Sequence, residues 1–209
     1  MIMNDLGPRL RTSFMLILVY GLSLYFGGLI FIFVILSTSI LMVFELAKLI
    51  KFKKSPSLFL LALLTLFFSI FTLTKTGLHD KKILLFIVTI VVITDVFGFV
   101  FGRLFAGPKV MPSISPGKTW SGIIFGWFGS ALVGYFYPLM FDLAGFGVIT
   151  AIFLSIFAQS GDFVESFLKR RAKVKNSSEF LPGHGGFLDR FDGMLGASLF
   201  YGLVLFWIL

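Results

Sequence analysis

Cysteine is absent from the chain, which excludes disulfides, thiol nucleophiles and thiolate-held metals and leaves the compartment open. Charge is scarce. Only 13% of the residues are charged and 57% are hydrophobic, where a soluble domain carries about 25% charged residues. So little charge cannot clothe a water-facing globule, and the 209 residues, 29 of them Phe, point to a single integral-membrane domain. Acids are scarcer than bases, with 10 Asp and Glu against 18 Lys and Arg. A basic surface on a lipid-embedded protein favours anionic lipid or nucleotide over nucleic acid as partner. Internal repeats and low-complexity tracts are missing, and neither a Walker loop nor a dinucleotide fingerprint is present.

What the chain has in abundance is apolar runs. A spanning helix needs about 20 mainly apolar residues, and Thr12–Phe44 carries no charge at all. That stretch is too long for one ordinary span, and Gly27-Gly28 is its natural break, which predicts helices over 12–26 and 29–50. The basic start of the first run resembles a signal peptide, but no small-residue cleavage site follows and a second span comes at once, so it is expected to be retained. Lys51, Lys53, Lys54, Ser55 and Pro56 end the second span. Further runs at 57–74, 83–105, 119–141, 144–168 and 192–209 predict an all-α, polytopic transmembrane bundle of about seven spans. With the N-terminus inside, the cytoplasmic face holds Arg9, Arg11, Lys48, Lys51, Lys53, Lys54, Arg103, Lys109, Lys118, Lys169, Arg170, Arg171, Lys173, Lys175 and Arg190. Only Lys75, Lys81 and Lys82 fall outside. Basic residues favour the cytoplasm, so the C-terminus is expected outside. The chain divides into N-terminal spans at 1–80 and a catalytic part at 81–209 with cytoplasmic loops 106–118 and 169–191.

Polar residues inside such runs are costly and mark function or pairing. Asp95 sits mid-run, with Gly98 and Gly102 on the same helical face, where a helix or ligand could approach closely. It is either a structural carboxylate paired with a neighbouring helix or a metal or substrate ligand facing a wet cavity. Asp162, Glu165, Ser166 and Lys169 share another face. An i,i+4 pair explains Glu165 and Lys169, but not Asp162 one turn deeper. In the Gly/Pro-rich loop Gly102–Gly122, Ser115 and Lys118 could hold a phosphate at a helix start; equally, Pro116-Gly117 is a plain turn and Lys118 a membrane-surface anchor.

The one long polar passage is Ser166–Asp192. In it Gly183, Gly185 and Gly186 surround His184, with Gly193 just beyond, and such a loop lets backbone amides approach an anion. Asp189 and Asp192 are three apart and face one way on a helical turn. Paired carboxylates beside Lys and Arg suit Mg²⁺ holding a polyphosphate, and His184 suits a hydrogen-bond donor to phosphate or to the fold.

Ser166, Lys169-Arg170, Lys175, Pro182-Gly183-His184-Gly185-Gly186, Asp189-Arg190 and Asp192 together resemble the signature of bacterial phosphatidate cytidylyltransferases, or CDP-diacylglycerol synthases. The similarity extends to SGDFVESFLKR, TDVFGFVFGR and SISPGKTWSG, and more loosely to the ELAKL segment at Glu45–Leu49. It implies an inner-membrane enzyme that joins CTP to phosphatidic acid, giving CDP-diacylglycerol and pyrophosphate. It implies Mg²⁺, with room for a second cation, held by Asp162, Asp189, Asp192 and Asp95. Lys169, Arg170, Lys175, His184 and Arg190 would act on phosphates, with substrate contacts from Ser166, Lys118, Gly183, Gly185 and Gly186. The expected partners are CTP, phosphatidic acid and membrane lipids, not nucleic acid, and a homodimer is left open. The rival readings are a CTP-dependent lipid-alcohol kinase and a non-enzymatic transport protein with Asp95 in its path. The chain is shorter than the usual member before Asp95. It also has Asn176 where the family has Asp, and Glu179 is the neighbouring acid expected to compensate.

Overall fold

Each of the seven apolar runs carries a helix in the computed structural model, which describes residues 6–50 and 55–205. The helices are α1 Leu6–Phe26, α2 Gly28–Leu49, α3 Pro56–His79, α4 Lys81–Leu104, α5 Trp120–Phe141, α6 Val148–Arg171 and α7 Leu188–Phe200. A π-helical turn, Tyr201–Leu205, follows α7. Five of them, α2 to α6, are long and apolar enough to cross a membrane, while the apolar stretch of α1, Leu10–Phe26, is shorter. The protein is therefore an all-α membrane protein. The expected terminators Lys51, Lys53 and Lys54 lie outside the described residues.

Local chemistry explains the boundaries. Gly27 and Gly28 take φ of 66° and 52°, left-handed values that cost other residues about 1–2 kcal/mol each, so the long apolar run breaks there. Pro56 opens α3 at a position where its missing N–H is not needed. The Asp80 carboxylate caps α4 by accepting from the amides of Lys82 and Ile83 at 2.8 and 3.4 Å, and the Thr119 hydroxyl caps α5 by accepting from the Gly122 amide at 3.2 Å. The Gly/Pro-rich stretch expected to be a loop contains an antiparallel hairpin instead. Its strands are β1 Lys109–Met111 and β2 Ser115–Thr119, with Lys109 opposite Thr119 and Met111 opposite Ser115. The strands are too short for a period-2 pattern to show in the sequence.

The chain forms two compact units, one of residues 1–79 and 168–191, the other of 80–167 and 192–209. In the first, α1 packs on α2 and α2 on α3. In the second, the core is a cluster in which Phe86, Ile87, Ile90 and Leu154 are fully buried. Glycines set its helix spacing. A Cβ on Gly98 would lie 3.3 Å from the Gly122 carbonyl oxygen, and one on Gly102 would lie 3.2 Å from the Gly122 Cα. The face that Asp95 shares with these glycines therefore meets α5. Within the same unit Gly161 and Gly196 bring α6 and α7 together, with Cα 3.1 Å from the Cβ that Gly196 lacks. The Thr94 hydroxyl ties α4 to α6 by donating to Ser155 Oγ at 2.7 Å. Large apolar side chains face outward on these helices, among them Leu29, Phe33, Leu139 and Ile149, as a lipid-facing surface requires.

Candidate active site

The second unit contains a cavity of about 330 Å³ lined by Asp95, Gly98, Arg103, Lys118, Gln159 and Asp162, among others. Its shape follows from the glycines of α4 and α5, which leave side-chain volume empty between the helices. Asp95 is exposed at this wall. Lys118 reaches it from β2, and its Nζ lies 2.5 Å from Oδ2 of Asp162 on α6. The same ammonium stands 4.2 Å from the Phe163 ring centroid, a contact that favours a fixed cation. Gln159 is held at the cavity by Trp127, whose indole N–H donates to its Oε1 at 3.0 Å, while its own amide donates to the Ile123 carbonyl at 3.5 Å. Ser166 and Glu165 are buried on α6. Asp192, at the start of the α7 portion in this unit, lies within electrostatic reach of Asp162, Glu165 and Asp95. Four carboxylates thus gather in one unit.

The first unit contains the glycine loop, organised by two acids. Asp189 accepts from Lys169 Nζ at 2.6 Å on Oδ1. Its Oδ2 accepts from the Ser177 amide, the Ser177 hydroxyl and the Gly186 amide, each at 2.8 Å. Glu45, fully buried on α2, accepts from Ser178 Oγ at 2.6 Å and the Phe187 amide at 3.0 Å on Oε1. Its Oε2 accepts from the Leu188 amide at 2.7 Å, and Ser177 Oγ, whose one proton serves either acid, stands 3.1 Å from it. A buried carboxylate with this many donors is fully satisfied. The loop turns at Gly183 and Gly185, with φ of 75° and 89°, and closes through a Leu181–Gly185 bridge. Arg190 grips its tip by donating from Nε and Nη2 to the His184 carbonyl at 3.2 and 3.0 Å. His184 Nε2 lies 3.1 Å from Ser13 Oγ, and Thr12 Oγ1, 2.6 Å from the Pro8 carbonyl oxygen, lies 2.9 Å from that of Pro182, so α1 braces the same tip. Arg170 donates to the Val174 carbonyl at 3.2 Å, and Lys175 is exposed.

Asp95, Lys118, Asp162, Ser166 and Asp192 thus belong to one unit, and Lys169, Arg170, Lys175, Gly183, His184, Gly185, Gly186, Asp189 and Arg190 to the other. Sequence reasoning did not single out Glu45, Ser177, Ser178 or Gln159 as site residues. The available signal for Glu45 was an acid one turn before the end of an apolar run. Glu179, the acid expected to compensate for Asn176, is exposed, and the acid that meets the adjoining Ser177 and Ser178 is Glu45.

Asp95, Asp162, Glu165 and Asp192 supply hard oxygen ligands and a concentration of negative charge that a divalent cation would relieve. Among the described residues no three acidic or histidine side chains close into a ligand shell, and the oxygens of Asp189 are engaged, Oδ1 by Lys169 of α6 and Oδ2 by the loop. The fit is therefore one of chemistry, centred on the second unit.

The fold thus carries clustered carboxylates and a fixed cation in one unit and an amide-rich glycine loop in the other, groups whose chemistry suits charged phosphates. The family model described as the cytidylyltransferase family matches residues 55–208, and the chain belongs to that family. Among similar proteins is a phosphatidate cytidylyltransferase of Brucella abortus, 42% identical over 55% of this chain and 43% of its own length. One of Rickettsia typhi is 32% identical over 65% and 64%. One of Staphylococcus epidermidis is 41% identical over 58% and 48%. The matched part spans about half the length of most of these curated relatives.

Proposed function

We propose that the protein transfers the cytidylyl group of CTP to phosphatidic acid, giving CDP-diacylglycerol and pyrophosphate for phospholipid synthesis. The observation that carries the reading is the cavity in which Lys118 and Asp162 meet beside Asp95, in a chain of the cytidylyltransferase family. An oxygen of the lipid phosphate attacks the α-phosphorus of CTP, a new P–O bond forms, and the bond to pyrophosphate breaks. The phosphate monoester is largely ionised near neutral pH, so the attack needs no strong general base. It needs alignment and relief of repulsion between anions.

Fixed cations suit that task. Lys118 offers a phosphate contact at the cavity, and Lys169, Arg170, Lys175, His184 and Arg190 offer them around the glycine loop. Gly183, Gly185 and Gly186 let phosphate oxygens reach main-chain amides. Asp162, Asp192 and Asp95 would hold Mg²⁺, with Glu165 beside them; bound Mg²⁺ supplies charge neutralisation at the phosphates. Asp189 orients Lys169 and the loop. The enzyme is placed in a bacterial inner membrane with seven spans, the N-terminus and active site cytoplasmic and the C-terminus outside. The excess of Lys and Arg on that side supports it.

Incubation of the purified chain with phosphatidic acid and CTP labelled at the α-phosphorus is expected to put label into lipid. Label entering lipid only from the γ-phosphorus would make it a kinase, and no lipid label from either would sink the reading.

A further inference from the structure

We propose that Glu45 is a positioning residue that sets the conformation of the glycine loop, and through it the alignment of the phosphate-binding groups the loop carries. The inference rests on the reading of that loop as a substrate-phosphate site. Glu45 lies far from the loop in sequence, yet its carboxylate meets both ends of it, accepting from Ser178 beside Ser177 at one and from Phe187 and Leu188 at the other. The loop is shaped to admit it. A Cβ on Gly186 would lie 2.6 Å from the Glu45 Cδ, so only glycine lets the acid in. Ser177 links the two organising acids, its hydroxyl standing 3.1 Å from Glu45 Oε2 and 2.8 Å from Asp189 Oδ2.

The geometry also says why the residue is an acid. Each Glu45 oxygen faces a main-chain N–H, Phe187 at Oε1 and Leu188 at Oε2. Main-chain donors cannot turn round to accept. A glutamine in either flip sets its NH₂ against one of them and leaves a buried donor unsatisfied. An aspartate is one methylene short of both. Glu45 therefore specifies the loop through charge and reach together, in a segment where Asn176 brings no charge of its own.

The test compares the full chain, purified in detergent, with Glu45→Gln, using hydrogen exchange and steady-state kinetics. In the variant, peptides covering 177–188 are expected to exchange at least about tenfold faster while those of α4 and α5 stay unchanged. The kcat/KM for CTP is expected to fall at least about tenfold with the melting temperature nearly kept. Unchanged loop exchange, or faster loop exchange with unchanged kcat/KM, overturns the proposal. If Glu45→Gln does not fold, Ser178→Ala removes one donor and leaves the carboxylate in place; the same pattern at smaller amplitude is expected, and no change in either readout overturns the idea. Failure of the functional reading shows separately, as wild-type protein that puts no α-label into lipid, and the exchange arm still decides what Glu45 does to the loop.

Discussion

The Lys118 ammonium lies 2.5 Å from the Asp162 carboxylate, joining β2 to α6 across the cavity that also holds Asp95. A cation suited to phosphate and an acid suited to a divalent ion occupy each other. A phosphate arriving at Lys118 competes with Asp162, and a cation arriving at Asp162 competes with Lys118, so each eases entry of the other. Lys118→Met is therefore expected to raise the KM for CTP and to lower the Mg²⁺ concentration giving half-maximal rate. A titration of rate against Mg²⁺ checks this, and a higher Mg²⁺ requirement in the variant contradicts it.

Asp162→Asn tests the other half of the pair. The two side chains are partly buried, at 24% and 30% exposure, and the oxygen of an asparagine amide can still accept from the Lys118 ammonium. Melting temperature should hardly move, while the rate falls at least about 10²-fold, as on loss of one electrostatic stabiliser. Activity near wild type would make the carboxylate dispensable.

Asp189 and Asp192 should part company. Asp189, 6% exposed, is tied to Lys169, 12% exposed, and removing one partner of a buried pair costs about 3–5 kcal/mol. Asp189→Asn should lower both melting temperature and rate. Burial, and after it Asp162, Glu165 and Asp95, disfavour a charge on Asp192, so Asp192→Asn removes an unfavourable anion; it should lose rate at equal or higher melting temperature. Thermal melts beside α-label assays separate the two, and equal destabilisation would refute the distinction.

Gly185→Ala adds a Cβ at a φ of 89°, 2.6 Å from Asp189 Oδ2. Left-handed strain alone costs about 1–2 kcal/mol, and the oxygen cannot retreat without loosening its hold on Ser177 and Gly186. Activity should collapse. Wild-type kinetics in this variant would show the turn to be unimportant.

Topology can be read from Glu179, which is exposed, rather than from Ser177, which is buried by both organising acids. A cysteine at 179 should react in intact cells with a permeant thiol reagent and not with an impermeant one added outside. Labelling by the impermeant reagent would reverse the proposed orientation. Glu179→Gln should keep both its rate and its Mg²⁺ dependence, because Glu45, not Glu179, meets the loop beside Asn176.

The sequence alone determined what depends on near neighbours. Apolar runs located α1 to α7, five of them of membrane length, because hydrocarbon admits a backbone only when its hydrogen bonds close within the helix. Gly27-Gly28 marked the break, and i,i+3 and i,i+4 spacing put Asp95 on one face with Gly98 and Asp162 on one face with Glu165 and Ser166. The polar passage near the end named most of the candidate residues. Tertiary structure alone decided the pairings: Lys118 with Asp162, Lys169 with Asp189, and Glu45 with the amides of Phe187 and Leu188. Spacing along a helix carries no record of which distant segment faces it, and one buried acid can find its donors anywhere the fold brings them.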